Sequence, residues 1–161
     1  MVKTPCIGIC SATSLGDVVC RGCKRYGFEV INWNGYDSDA KQAVLSRIEK
    51  FTVLFLSSRF HIFSEDALKR GLEQFSIPFN SALSPYCWLH NLLKKGRGKI
   101  NNLSYFGVSV LPDYARFDVT ALAEQIDEDL MALNAAHLER YGLAPDHSLN
   151  RYPSDSETNL G

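Results

Sequence analysis

The sequence predicts a mostly helical α+β fold with one or two short strands, in which a small cysteine-rich metal module docks on a helical unit. Three observations predict it. Four of the five cysteines lie within residues 6–23 of the 161-residue chain. Several later segments repeat apolar residues at helical spacing between capping residues and helix-stopping glycines or prolines. The segment LSYFGVSVL, at residues 103–111, instead has the composition of a strand.

Residues 1–36 form a loop-rich lead with recurring glycines and no long hydrophobic periodicity. Such a segment buries too little apolar surface to fold alone, so it needs a cross-link such as a bound metal or a disulfide. The cysteines offer one, in the pattern C-x3-C-x9-C-x2-C formed by Cys6, Cys10, Cys20 and Cys23. We see no secretory signal pattern and no apolar run long enough for a bilayer, so we expect a cytoplasmic protein with reduced thiols. Clustered reduced thiols indicate metal binding rather than disulfides.

The second cysteine pair, CRGC, has the form of a metal-binding knuckle. Gly22 is expected to permit the positive φ angle of a tight turn and to leave backbone amides free to point at sulfur. Lys24 and Arg25 follow directly, and their charge would partly offset that of four thiolates around a divalent ion. Gly8 gives the looser CIGIC pair its flexibility, and Trp33 is expected to roof the module or pack it on the next helix. All four ligand positions are filled by the protein, which is typical of structural or electron-carrying centres.

The spacing alone favours zinc, because of the CRGC knuckle, and leaves an iron–sulfur cluster as the alternative. Four thiolates at about 2.3 Å in a tetrahedral arrangement suit a structural zinc ion. An iron–sulfur cluster also takes four cysteines, usually in an apolar pocket lined by amides. Four apolar neighbours can furnish that pocket, namely Ile7, Ile9, Val18 and Val19. We therefore expect one zinc ion or one iron–sulfur cluster.

Two helices are predicted after the lead by their caps and apolar stripes. Asp37 or Ser38 can cap the run DAKQAVLSRIEKF, which either continues into VLFL or breaks there into a buried strand. Ser64 can cap a second helix that has two carboxylates in its first turn, where they favour the positive helix end. Pro78 is expected to end that helix.

A third helix is predicted over residues 84–96, SPYCWLHNLLKKG, between a serine cap and a terminal glycine. The last helix should run from Val119 to Tyr141, between the Asp118 cap and Gly142. The polar sequence after Pro145 predicts a disordered tail. The chain then divides into a metal module with the first helix, a helical unit of unknown type, and the tail, at residues 1–50, 51–144 and 145–161.

The N-terminal third resembles a known bacterial family. It has a start of the form PC-x3-C, then C-x-G-C-x-R, a downstream tryptophan, and a helix that opens with S-D-A and continues with A-V-L. These features are similar to those of the YdhL-like predicted iron–sulfur proteins, a domain of unknown function, over residues 5 to about 50. The residues that carry the resemblance are Pro5, Cys6, Cys10, Cys20, Gly22, Cys23, Arg25, Trp33, Ser38, Asp39, Ala40, Ala43, Val44 and Leu45. The resemblance implies an iron–sulfur centre but no reaction.

A basic segment follows the third predicted helix, in LKKGRGKINN, with Lys94, Lys95, Arg97 and Lys99. Basic residues near aromatic residues suit nucleic-acid backbones and stacked bases. The alternative is a solvated loop whose cations favour the negative end of the helix. The net charge of −1 gives no global reason to expect a nucleic-acid partner, so that interpretation depends on this local patch.

We recognise no catalytic constellation. Cys87 is expected to be a small buried hydrophobe, although it shares a helix face with His90. The four histidines show no metal-ligand spacing, so we assign no reaction and infer no small-molecule substrate or membrane partner. The sequence favours a cytoplasmic metal-binding protein that presents a surface to an unknown protein or nucleic acid. The alternative is an iron–sulfur protein of electron transfer or cluster handling.

Overall fold

The computed structural model describes residues 2–96, 98 and 100–141, and these residues form a mostly helical α+β fold, as predicted. The predicted tail at 145–161 lies outside the described residues. In chain order the elements are α1 (Ser11–Ser14), α2 (Gly27–Asn32), α3 (Ser38–Ser57), β1 (Phe60–Ile62), α4 (Glu65–Gln74), α5 (Pro85–Lys95), β2 (Val108–Val110) and α6 (Val119–Arg140). Among the described helices, none is both long and apolar enough to span a membrane.

The chain divides into two units, Met1–Ile48 with Met131–Gly161, and Glu49–Leu130. The boundaries fall inside α3 and α6, so each of these helices contributes residues to both units. The described part of the first unit consists of residues 2–48 and 131–141. The division into three segments drawn from the sequence stays a prediction.

The second unit is built around one apolar core. β1 and β2 pair antiparallel, with Phe60 opposite Val110, and the flanking helices contribute Leu56, Leu89 and Ile126, each with essentially no exposed surface. Full burial of a large apolar side chain contributes about 1.5–3 kcal/mol, so this cluster supplies much of the stability of the unit.

Helix starts lie where the sequence predicts them. The side chains of Asp37, Ser64, Ser84 and Asp118 each accept a backbone amide of the following turn. The choice left open at VLFL is settled in favour of helix, because α3 continues to Ser57.

The predicted end of α4 at Pro78 is wrong, because the helix stops earlier. Ser76 adopts a left-handed φ of 54°, and the amide of Ile77 donates to the Leu72 carbonyl at 2.9 Å. This arrangement satisfies a terminal carbonyl and ends the helix at Gln74 without the proline.

The predicted strand LSYFGVSVL is right only in its second half. Leu103–Phe106 forms a 3-10 turn that ends at Gly107, whose φ is 69°. The left-handed glycine reverses the chain, and β2 begins at the next residue. The lead over residues 1–36 is also more regular than expected, since it contains α1 and α2.

Candidate metal centre

The CRGC segment forms a tight turn whose backbone amides point at sulfur. The Cys20 sulfur accepts hydrogen bonds from the amides of Cys23, Gly22 and Ser11. Burial acts to raise the pKa of the Cys20 thiol, but these amides and the Cys23 thiol outweigh it and lower the pKa to about 6. Cys20 is 1% exposed. The turn thus favours a thiolate at a position that solvent does not reach.

The Cys23 sulfur lies beside a buried guanidinium. Burial raises the pKa of the Cys23 thiol, against the lowering effect of Arg25. The Arg25 Nε donates to Cys23 Sγ at 3.4 Å, and its guanidinium lies 4.8 Å from the centre of the Trp33 ring. Trp33 in turn packs on Val44 and Leu45 of α3, as expected for the residue that joins the module to this helix. Arg25 thus connects the cysteine turn to Trp33, and Trp33 connects it to α3.

The positive φ angle expected at Gly22 lies instead at Lys24, whose φ is 64°. Gly22 instead allows the first pair to approach closely, because a Cβ there would lie 2.8 Å from Ile7 Cδ1 and 3.2 Å from the Ile9 carbonyl oxygen. The Ser11 hydroxyl also accepts the Arg21 amide at 2.8 Å. The segments of the two cysteine pairs therefore lie against each other.

The first pair is shaped by Gly8 and lies at the surface. Gly8 adopts a φ of 97°, and its amide donates to Cys6 Sγ at 3.4 Å. Cys6 is exposed and Cys10 is half-buried. The Cys10 carbonyl accepts the Ser14 amide at 3.0 Å, which begins α1 directly after the pair. This pair has fewer amide bonds to sulfur than CRGC has.

The chemistry of the donor set fits a metal that prefers thiolates. All five cysteines are free, and the Cys20 and Cys23 sulfurs lie within hydrogen-bonding reach of each other. In the described part of the chain, no group of three or more cysteine, histidine, aspartate or glutamate side chains is close enough to hold a metal ion. The two cysteine pairs therefore do not form a closed four-thiol site within the described residues.

A buried ion pair fixes the backbone that follows the CRGC turn. Arg47 of α3 donates to the Glu29 carboxylate at 2.9 and 2.8 Å and to the Lys24 carbonyl at 3.2 Å. Its guanidinium lies 3.9 Å from the centre of the Tyr26 ring. Glu29 also accepts the Tyr26 amide at 2.8 Å, which caps α2. Bidentate geometry and burial make this pair a strong polar link between α3 and α2.

Sequence reasoning missed both members of this ion pair. The available signal for Arg47 is its position on the apolar face of α3, three residues after Val44 and four before Phe51. A charged residue on such a face needs a buried partner. Nothing in the local sequence identifies Glu29 as that partner.

The end of α6 completes the core around Tyr26, which has no exposed surface. Val19 and Leu138 pack with Tyr26, and the Tyr26 hydroxyl lies 2.8 Å from His137 Nδ1. Burial lowers the pKa of His137, and the positive charges of two arginines, Arg47 and Arg140, lower it further. The lowered pKa favours the neutral imidazole at neutral pH, and its Nδ1 and the Tyr26 hydroxyl share one hydrogen bond.

The predicted basic patch is described only in part. Lys95 is exposed, whereas the Lys94 ammonium lies 3.7 Å from the Asp127 carboxylate of α6. Arg97 and Lys99 lie outside the described residues. The role of this patch in nucleic-acid binding stays a prediction.

Cys87 has the expected character of a buried hydrophobe. It is 8% exposed in the core of the second unit. Burial and the nearby Glu49 carboxylate raise the pKa of its thiol to about 12. Such a thiol stays protonated and is a poor nucleophile or metal ligand.

Comparison with known proteins identifies the same segment of the chain. Residues 4–52 match a family described as a protein of unknown function, DUF1289. The chain has no match among curated proteins and none among solved structures. The match supports the resemblance to a domain of unknown function and covers less than a third of the chain. The description names neither a metal nor an activity.

Proposed function

We propose that Cys6, Cys10, Cys20 and Cys23 hold one metal centre, which has a structural role in a protein-binding or nucleic-acid-binding module. The observation that carries the proposal is the set of three amides directed at the Cys20 sulfur. Such an array stabilises the thiolate, and the thiolate is the form that binds metal. The Arg25 guanidinium beside Cys23 favours the same charge state.

The chemistry of the surroundings supports a structural centre rather than a hydrolytic one. Four thiolate ligands leave no open coordination position for water or substrate. The charged group next to the sulfurs is Arg25, and an arginine does not exchange protons at physiological pH. Metal binding would instead supply folding energy to a segment whose own apolar core is small.

Zinc is the occupant that we favour, because the apolar pocket expected for a cluster is largely open. Val19 is buried, whereas Ile7, Ile9 and Val18 are 44%, 77% and 51% exposed. The alternative is an iron–sulfur centre for electron transfer or cluster handling, which the family resemblance implies. Hydrogen bonds from amides and guanidinium groups to sulfur also tune the reduction potential of such a cluster.

Metal analysis of the full chain purified without oxygen tests the proposal. We expect one zinc ion per chain and a colourless protein; a brown protein that contains iron would support the alternative. Cys20→Ser should lose the metal together with the order of the CRGC turn, measured by near-UV circular dichroism. The matched control is Cys87→Ser, which should keep the full metal content. Wild-type protein with neither zinc nor iron would contradict the proposal.

A separate experiment tests the interaction role of the basic patch. One variant changes four residues to glutamine, namely Lys94, Lys95, Arg97 and Lys99. The control variant removes the same charge at exposed positions elsewhere, namely Lys3, Lys50, Lys69 and Arg70. Retention on single-stranded nucleic acid should fall for the first variant at low salt, because released counterions drive such binding. Equal retention of the two variants would remove the patch as a nucleic-acid surface.

A further inference from the structure

We infer that the CRGC pair is a preassembled half-site that captures the metal first, and that the CIGIC pair closes over it afterwards. The inference rests on the proposed function and adds an order of assembly to it. It follows from the unequal environments of the two pairs in the described structure.

The two cysteine pairs differ first in the burial of their sulfurs and in the hydrogen bonds that these sulfurs accept. Cys20 and Cys23 are 1% and 6% exposed. The Cys20 sulfur accepts backbone amides, and the Cys23 sulfur accepts the Arg25 Nε at 3.4 Å. Cys6 is exposed and receives one long amide bond, from Gly8 at 3.4 Å. The CRGC sulfurs are thus already held by buried donors, whereas the Cys6 sulfur lies at the surface; Cys10 is half-buried and accepts hydrogen bonds at its carbonyl.

The two cysteine pairs differ also in the backbone hydrogen bonds that hold their segments. The CRGC turn is closed by the Cys20 amide, which donates to the Arg25 carbonyl at 2.8 Å, and by the Lys24 amide, which donates to the Cys20 carbonyl at 2.9 Å. Arg47 then holds the Lys24 carbonyl from α3. The CIGIC segment approaches this turn through Ile7 and Ile9 beside Gly22, and the next residue, Ser11, accepts the Arg21 amide.

A prearranged pair of ligands binds a metal more tightly than a loose pair, because less conformational entropy is lost on binding. The buried donors around Cys20 and Cys23 add to this difference, since removal of such outer groups lowers metal affinity by about 10–100-fold. The metal should therefore bind first to CRGC. Ordering of CIGIC should follow, because the third and fourth thiolates then reach a fixed ion.

Cobalt binding by two double variants of the full chain tests the order. Cobalt is a spectroscopic substitute for zinc, and thiolate ligation gives it an ultraviolet charge-transfer band. The variant Cys6→Ser with Cys10→Ser keeps the CRGC pair and should bind one ion at least about tenfold more tightly than Cys20→Ser with Cys23→Ser. Equal affinities, or the reverse order, would overturn the inference.

A second measurement uses the wild-type protein and does not depend on how the variants fold. Cobalt-loaded protein is treated with increasing chelator, and alkylation of each cysteine is measured by mass spectrometry relative to its rate in metal-free protein. We expect Cys6 and Cys10 to lose protection at chelator concentrations that leave Cys20 and Cys23 protected. Simultaneous loss at all four cysteines would overturn the inference. Cys87 is the internal reference, because its protection should not change.

The same experiments separate this inference from the proposed function. Wild-type protein that binds neither cobalt nor zinc would refute the metal centre itself. Wild-type protein that binds one ion through pairs of equal strength would refute the assembly order and leave the metal centre intact.

Discussion

Replacing Arg47 with methionine should destabilise the first unit by about 3 kcal/mol. Methionine keeps much of the length and apolar stem of the arginine, so that the packing of α3 changes little. The charge, however, is lost, and the Glu29 carboxylate is left in a position with 0% exposure.

The magnitude follows from the contacts of the two side chains. Breaking one partner of a buried ion pair costs about 3–5 kcal/mol, because the remaining charge is buried without compensation. Glu29 would keep one hydrogen bond, from the Tyr26 amide at 2.8 Å, which places the expected loss at the lower end of that range. A domain with about 5–15 kcal/mol of total stability would lose a large part of it.

The chain offers a selective assay, because it has two tryptophans and each lies in a different unit. In a Trp88→Phe background, all tryptophan fluorescence comes from Trp33, so that the signal during a urea titration reports on the first unit. The free energy of unfolding is compared between this background and the same chain with Arg47→Met. Both proteins are measured with and without metal.

Two further variants make the measurement decisive. Glu29→Leu combined with Arg47→Met removes both charges and should recover most of the loss, because apolar replacement of a buried pair is often nearly neutral. Arg140→Met removes an exposed arginine of the same unit and should change stability by less than about 0.5 kcal/mol. A loss below about 1 kcal/mol for Arg47→Met would refute the view that this ion pair anchors the unit.

Three other predictions concern separate parts of the molecule. Because burial lowers the pKa of His137 below 6.5 in the folded chain, protonation favours unfolding, and stability should fall as the pH drops through about 6.5. His137→Gln should flatten the pH dependence of the free energy of unfolding in that range, measured by urea unfolding at several pH values. Arg25→Gln should weaken metal binding by about 10–100-fold in a chelator competition, whereas the exposed neighbour Arg21→Gln should not. Gly71→Ala should cost about 1–3 kcal/mol, read from Trp88 fluorescence, because the new Cβ would lie 2.3 Å from Phe106 Cδ1.

Features of the fold that are set by residues close together in the sequence could be predicted from it. The caps at Ser64 and Ser84 act within their own helices, so that the local pattern was sufficient. β1 was missed, because a strand of three residues is too short to show a period of two. Its existence depends on pairing with Val108–Val110, which lies more than forty residues later.

The candidate metal centre shows the same difference between local features and features set by the tertiary fold. Cysteine spacing predicted the turn at Cys20 and Cys23, because the residues that shape it are adjacent. It did not predict that the positive φ angle falls on Lys24, one residue after the second cysteine, because a spacing pattern does not fix the φ angle of each residue in the turn. The ion pair with Arg47 was beyond local patterns because it is set by the tertiary fold.

The hydrogen bond between Tyr26 and His137 joins residues 111 positions apart, and it has a practical consequence for the family domain. The family match stops at residue 52, but the cluster around Tyr26 is completed by Met131 and Leu138. A recombinant fragment of residues 4–52 would leave that cluster open to water, so the excised domain should not be autonomous. A synthetic peptide of residues 131–141, added in trans, should bind the fragment and restore its order, as in a split protein.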